Sequence, residues 1–331
     1  MHIDWVIAMA DPMTHDLVTL GEAMLRLSVP AGERLERAPA YQVDVAGAEA
    51  NVAIAVARAG LSAVWFSRLT ESPLGRRAAG EIALHGVDVS HVVWDRTRRM
   101  GTYFLELSVP PRPVSVLYDR ADSAATALTP DDIDWAIVES ARAVHLTGIT
   151  PALSPSARLT TMETARRAGQ GGAEVIVDVN YRSRLWPPAE AASVIGDLCR
   201  IASTVIVTTE DARDLFDISG KAPEVAAALR QTMGVDAVIV THGAGGAAWD
   251  ATGDVGAAPG HPAEVIDRIG AGDAFAAGVI VGLLDGNIAA GVERGLAMAA
   301  LKLGIRGDQF VASQEEIDTV LDGDPNRQVR R

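Results

Sequence analysis

A chain of 331 residues with a formal net charge of −14 has room for a large core and carries the wrong sign for nucleic acid, whose phosphates it would repel. Cys199 is the only cysteine, which excludes an intramolecular disulfide, reads as a small buried thiol and suits a cytoplasmic setting. No run of about 18 uncharged apolar residues marks a membrane span; the nearest, after Gly270, is dotted with glycine and stopped by Asp285.

In chain order, residues 1–15 read as an N-terminal extension, since Val6–Ala10 lacks the basic flank of a signal peptide and Met13 offers a second start. Residues 16–322 then follow a strand-then-helix rhythm, the mark of a parallel sheet covered on both faces. Residues 323–331 form a tail. Leu17–Leu20 and Ala63–Phe66 are expected strands, with a helix from Glu49 to Ala59 closed by Gly60 between them. Pro73 to His85 is a second helix, ended by Gly86, and Val89 to Trp94 a further strand. The β-branched runs at 143–146, 175–177, 205–207 and 237–240 are continuous and apolar, as in strands buried on both faces. Two stretches, 24–45 and 98–120, alternate polar and apolar residues and predict strands with one face in solvent. Thr241–Gly246 is a glycine-rich turn that leads to another strand, and a hairpin accounts for it by itself.

The most informative segment is Gly270-Ala271-Gly272-Asp273, which runs into an alanine-rich apolar helix. Bare backbone at a helix start turns unpaired N–H groups and the positive dipole end toward an anion. Asp273 stands one step inside. An anion cradle beside a carboxylate suits phosphoryl transfer, with the N–H groups taking developing charge and the carboxylate receiving a hydroxyl proton. In so electropositive a pocket Asp273 is expected to be weakly basic and to take the proton late. Rival schemes fail on the same letters. Of the two lysines, Lys221 and Lys302, neither precedes Ser or Thr, which excludes a Walker A loop, and the first strand lacks a dinucleotide fingerprint. No pair of histidines has metal-site spacing, and His145 reads as a core residue.

Gly270–Asp273 and the small-residue helix behind it resemble the signature of the ribokinase (pfkB-like) carbohydrate kinases, with Arg268 where that family has Thr. Ala46-Gly47-Ala48-Glu49-Ala50-Asn51-Val52-Ala53 is similar to the family's Gly-Gly-x-x-x-Asn-x-Ala. Tyr103, Tyr118-Asp119-Arg120 and Asp178–Trp186 resemble the 2-keto-3-deoxygluconate kinases within it, over about residues 16–322. The resemblance implies a three-layer α/β/α ribokinase-like fold with a mostly parallel sheet and a small β-sheet lid made from 24–45 and 98–120. It also implies ATP and Mg²⁺, room for a monovalent cation such as K⁺, and a homo-oligomer as the assembly, with no membrane or nucleic-acid partner.

By the same resemblance Asp273 is the catalytic base, with Gly270, Ala271 and Gly272 on the phosphoryl oxygens. Gly47 and Asn51 face the sugar hydroxyls; helix capping is the other reading of Asn51. Tyr103, Tyr118, Arg120 and Arg182 surround the carboxylate end of a sugar acid, with Ile149 and Asp308 lining the cavity. Guanidinium forks suit that carboxylate, and an exposed edge-strand charge is the other reading of Arg120. Thr241, Gly243 and Gly246 lie along the nucleotide. Thr208 and Asp211 stand where the family carries Asn and Glu, and a helix N-cap with an acidic first turn fits them equally. The expected reaction phosphorylates the 6-hydroxyl of 2-keto-3-deoxygluconate; a neutral-sugar kinase and a non-catalytic sugar or nucleotide sensor are the alternatives.

Overall fold

A computed structural model describes residues 15–107 and 111–323; the tail from 324 on and the N-terminal extension apart from His15 lie outside the described residues. The strands in chain order are β1 (Leu17–Leu20), β2 (Met24–Val29), β3 (Gln42–Ala46), β4 (Ala63–Phe66), β5 (Arg68–Thr70), β6 (Val93–Asp95), β7 (Gly101–Glu106), β8 (Ser115–Asp119), β9 (Ala143–Thr147), β10 (Glu174–Asp178), β11 (Thr204–Thr208), β12 (Ala237–Thr241), β13 (Ala247–Ala251) and β14 (Asp254–Ala258). The helices are α1 (Ala48–Arg58), α2 (Pro73–Ala83), α3 (Trp135–Ser140), α4 (Pro155–Gly171), α5 (Pro188–Cys199), α6 (Thr209–Phe216), α7 (Ala222–Met233), α8 (Ala271–Leu284), α9 (Ile288–Leu303) and α10 (Gln314–Leu321).

Eight strands make the main sheet in the order β14-β13-β12-β11-β10-β9-β1-β4. It is parallel from β4 to β12 and closes with the antiparallel β12-β13-β14 meander. Because successive strand residues point to opposite faces, Val175 and Val177 enter the core layer shared with α5 and α7 while Ile176 enters the layer of α1, α8 and α9. Burial on both sides is why these strands are uninterrupted β-branched runs. In the second layer α8 and α9 approach backbone to backbone: a Cβ on Gly278 would stand 2.5 Å from the Gly295 Cα, and one on Gly282 2.2 Å from the Gly291 Cα. Gly278 and Gly282 of α8 are thus packing contacts.

A four-stranded sheet in the order β3-β2-β7-β8 stands apart from the main one. Its β8 is largely exposed, but β2 is buried on nearly every residue, including Arg26. The expectation of one solvent face therefore fails for both: β8 is open on both faces, and the second side of β2 is covered by the segment before α8. The predicted strand at 89–94 shortens to β6, which pairs with β5 in a two-stranded ribbon, because only Val93 to Asp95 find ladder partners. The helix expected to reach His85 ends at Ala83, within the ordinary fraying of a helix end.

Candidate active site

The C-terminal ends of the parallel strands converge on the first turn of α8. Thr147, Asp178, Thr208 and Thr241 end β9 to β12 in turn, the edge where open α/β sheets place their ligands. Gly270 is the N-cap of α8, at φ 87°. A Cβ there would lie 1.9 Å from the Asp308 carbonyl oxygen, so only glycine fits. Gly272 is different: its φ is not left-handed, and a Cβ would meet nothing within 4 Å. Ala271 N–H donates weakly to Arg268 O at 3.4 Å, whereas the Gly272 and Asp273 N–H groups have no acceptor among the described residues. These are the orphan donors of a helix start, and the Cβ direction of Gly272 beside them is open.

Asp273 is buried, and the Asn51 amide donates to its Oδ2 at 2.7 Å. Asn51 comes from the first turn of α1, which the end of β3 delivers to the same place. Helix capping is therefore not what the Asn51 side chain does. Its Oδ1 is buried without a partner, an acceptor suited to a ligand hydroxyl. Gly47, the α1 N-cap, has extended backbone, and a Cβ there would meet the Glu22 carbonyl oxygen at 2.4 Å. Close packing against the protein's own chain is reason enough for that glycine.

The weakly basic Asp273 expected from the anion cradle is not what the protein builds. Burial pushes its carboxyl up to about 7, against the pull of the Asn51 hydrogen bond and the Arg182 charge and with repulsion from Asp308 and Glu49. The helix dipole alone predicts a weak base; desolvation, the largest of these causes, acts in the opposite direction. Asp178 is likewise raised to about 7 by burial and by Asp273. Arg182 acts on Asp273, Asp178 and Asp211 alike. It is exposed, and its guanidinium has no ion pair and no hydrogen bond among the described residues, while its carbonyl oxygen accepts from Leu185 N–H at 2.9 Å.

Arg120 is placed otherwise. Its Nε donates to Glu22 Oε2 at 2.8 Å, its Nη2 pairs with the same oxygen, and Ser123 Oγ donates to Glu22 Oε1. The solvent-exposed edge charge is excluded, and so is an uncommitted guanidinium. Tyr118 lies under Arg120, 5.7 Å from ring centroid to guanidinium carbon. Tyr103 donates its hydroxyl to Asp308 Oδ2 at 2.7 Å, and Arg26 takes Asp308 Oδ1 at 2.5 Å. Tyr103 and Asp308 are thus bonded to each other rather than turned toward a ligand. Ile149 is buried just past the end of β9, with its N–H on Thr147 Oγ1. Thr147 and Thr150 both donate to the buried Glu49, whose carboxyl burial also raises.

At the residues expected to lie along a nucleotide the alternatives separate. The Thr208 hydroxyl accepts from Asp211 N–H at 2.9 Å as the N-cap of α6, so that side chain is used locally. Asp211 accepts from Tyr181 N–H at 3.4 Å. Thr241 ends β12, and the following turn joins it to β13 as a hairpin. In that turn Gly243 has φ 64° and an open Cβ direction, while Gly246 has φ 107° and would press on the Ala258 carbonyl oxygen. No cluster of three metal-ligating side chains occurs among the described residues, and no helix among them is long and apolar enough to cross a membrane.

A helix start with unpaired N–H groups beside a carboxyl raised to about 7 has the chemistry that phosphoryl transfer needs, and the sequence comparison points the same way. The model of the pfkB family of carbohydrate kinases matches residues 14–315. The chain belongs to that family. It is 41% identical to the 2-dehydro-3-deoxygalactonokinase of Haloferax volcanii over 94% of this chain and 98% of that one. It is 32% identical to the 2-dehydro-3-deoxygluconokinase of Thermoproteus tenax over 92% and 94%. The crystal structure of the Thermotoga maritima 2-dehydro-3-deoxygluconokinase superposes with a TM-score of 0.88 at 33% identity, covering 93% of this chain and 99% of that one. The ribokinase-like fold and the carbohydrate-kinase class are thereby established for this pfkB kinase.

Glu22, Arg26, Glu49, Asp267 and Lys302 also belong to the site and its support, and the sequence did not single them out. Arg26 had a signal, being the single charge inside the apolar run of β2. Asp267 and Glu49 lie inside the two motif segments without a role given to them, and Glu22 and Lys302 had no signal that distinguishes them from surface charges.

Proposed function

We propose that this pfkB kinase phosphorylates the terminal hydroxyl of a 2-keto-3-deoxy sugar acid, with magnesium ATP as the donor and the 6-phosphate as product. The observation that carries the reading is Arg182: an unpaired guanidinium that acts electrostatically on Asp273 asks for an anionic ligand in the same cavity. A neutral sugar leaves it unmatched. The orphan N–H groups of Gly272 and Asp273 and the open space at Gly272 fit phosphoryl oxygens. ATP supplies the transferable group and Mg²⁺ neutralises its charge. Asn51 holds Asp273 by one oxygen, leaving the other for the acceptor hydroxyl, whose proton a carboxylate with a pKa of about 7 is well matched to take. Arg120, fixed by Glu22, offers Nη1 to the acid's carboxylate.

The names of the relatives support two epimers. 2-Keto-3-deoxygluconate is the substrate we infer from the Arg120 and Arg182 segments; the 41% identity to a galactonokinase favours the C4 epimer as a second reading. A coupled assay of ADP formation over both acids, fructose and ribose decides. At least one acid is expected to exceed the neutral sugars in kcat/KM by about 10-fold or more, the effect of one charge-assisted contact. Preference for fructose or ribose would reject the sugar-acid reading.

A further inference from the structure

Behind the α8 turn lies a charged cluster that phosphoryl transfer does not use. Lys302, in the last turn of α9, is fully buried. Its ammonium donates to the carbonyl oxygen of Ile305 at 3.0 Å and to that of Asp267 at 3.4 Å. At the same crossing the N–H groups of Ile266 and Asp267 donate to Leu303 O at 2.8 and 3.1 Å. The Asp267 carboxylate is closed in turn by Arg26 at 2.5 Å, by Ile269 N–H at 3.1 Å and by Gly307 N–H at 3.2 Å. Three residues further on comes Gly270. The ammonium therefore sits where the segment that feeds the anion cradle crosses the end of α9, held by main-chain oxygens at a helix C-terminus. Main-chain carbonyls and a negative dipole end are what a buried alkali ion would also take.

The charges leave no place for such an ion as well. Arg26 and Lys302 face Asp267 and Asp308, two cations against two carboxyl groups, all buried. A further cation among the same oxygens would be buried without a counter-charge, which is strongly unfavourable. The monovalent cation that the family resemblance allows does not fit this cluster.

We propose that the Lys302 ammonium is a tethered substitute for a monovalent cation, a positioning residue that holds the 266–273 segment in its anion-binding shape and makes the enzyme indifferent to K⁺. The kinetic side of this proposal rests on the phosphoryl-transfer reading, and its stability side does not. For the parental protein, kcat/KM and the thermal midpoint are expected to agree, within twofold and within error, in potassium, sodium and tetramethylammonium chloride at equal ionic strength. Lys302→Ala removes the charge and leaves space. In tetramethylammonium it is expected to lose about 10- to 100-fold in kcat/KM through misplacement of the cradle and to unfold at a lower temperature, with K⁺ or NH₄⁺ restoring both. Lys302→Met fills the space without charge and is expected to show the loss without the rescue.

Parental activity stimulated fivefold or more by K⁺ would overturn the proposal. So would a Lys302→Ala protein that loses nothing in tetramethylammonium, or one whose defects K⁺ and NH₄⁺ leave untouched, which is the behaviour of a lysine that only packs. If the alanine variant folds only in K⁺ or NH₄⁺, the refolding yield reads the same comparison. Absence of turnover of the sugar acids in every salt, with the salt-dependent stability of the variant intact, would reject the sugar-acid reading and spare this one.

Discussion

The two sides of the 267–273 turn are built on opposite plans. Behind it, Arg26, Asp267, Asp308, Tyr103 and Lys302 are bonded to one another, with Arg26 Nε the one buried atom of the group left without a partner, and Gly270 is pressed on the Asp308 carbonyl. In front, the Gly272 and Asp273 N–H groups, Asn51 Oδ1 and the Arg182 guanidinium have no partner among the described residues, and Asp273 is held near neutrality by burial. Unpaired groups are costly inside a protein and persist where a ligand completes them. The saturated side fixes the shape of the turn, and the unsaturated side faces chemistry.

Substitutions at the two sides should therefore fail differently. The largest effect is expected from Asp273→Asn, which keeps the shape and the Asn51 contact yet removes the base: turnover should fall about 10²–10⁴-fold with substrate affinity changing much less. Steady-state kinetics check it, and more than half the parental turnover would remove Asp273 from the mechanism. Next comes Arg120→Met, which strands the buried Glu22 carboxylate. Denaturant unfolding should show a loss of about 3–5 kcal/mol, the usual result of deleting one partner of a buried pair.

Arg182→Met has no internal partner to strand and should leave unfolding midpoints nearly unchanged, while kcat/KM for the sugar acid drops about 10- to 150-fold. Equal losses for acid and neutral sugar would place Arg182 outside carboxylate recognition. The pH profile is a related test. If Asp273 must be ionised to accept the proton, kcat/KM should fall about tenfold per unit as pH drops below about 7, and a profile flat to pH 5 would contradict it. The smallest structural effect belongs to Gly272→Ala, which meets open space and should cost less than about 1 kcal/mol in stability, whereas Gly270→Ala collides with backbone and should cost more than about 1 kcal/mol.

What the sequence revealed follows the same division. The helix start and the carboxyl proposed as its base lie within four consecutive residues and the strands are local β-branched runs, so both are legible in the amino-acid letters alone. The saturated side is not, because its bonds join residues far apart: Arg26 and Asp267 are separated by 241 positions, Arg120 and Glu22 by 98. No local pattern encodes that Arg120 is already paired or that Arg182 is free. The solvent face expected for β2 fails for the same reason, since its cover comes from the segment before α8. The basicity of Asp273 escapes a local reading because desolvation depends on the whole fold, whereas the helix dipole is readable from one turn.

The division is tested most directly by the stability of Asp273→Asn against pH. A carboxyl raised from 3.8 to about 7 by burial favours the folded state fully only below its unfolded value, and that contribution is lost as pH rises through about 7. Asparagine stays neutral throughout. In urea unfolding at pH 8 the variant is predicted to be more stable than the parent by about 1–4 kcal/mol, with the advantage shrinking toward pH 4. A variant less stable than the parent at pH 8 would mean that the Asp273 charge is satisfied within the protein, and would contradict the account of an active site kept open for its substrates.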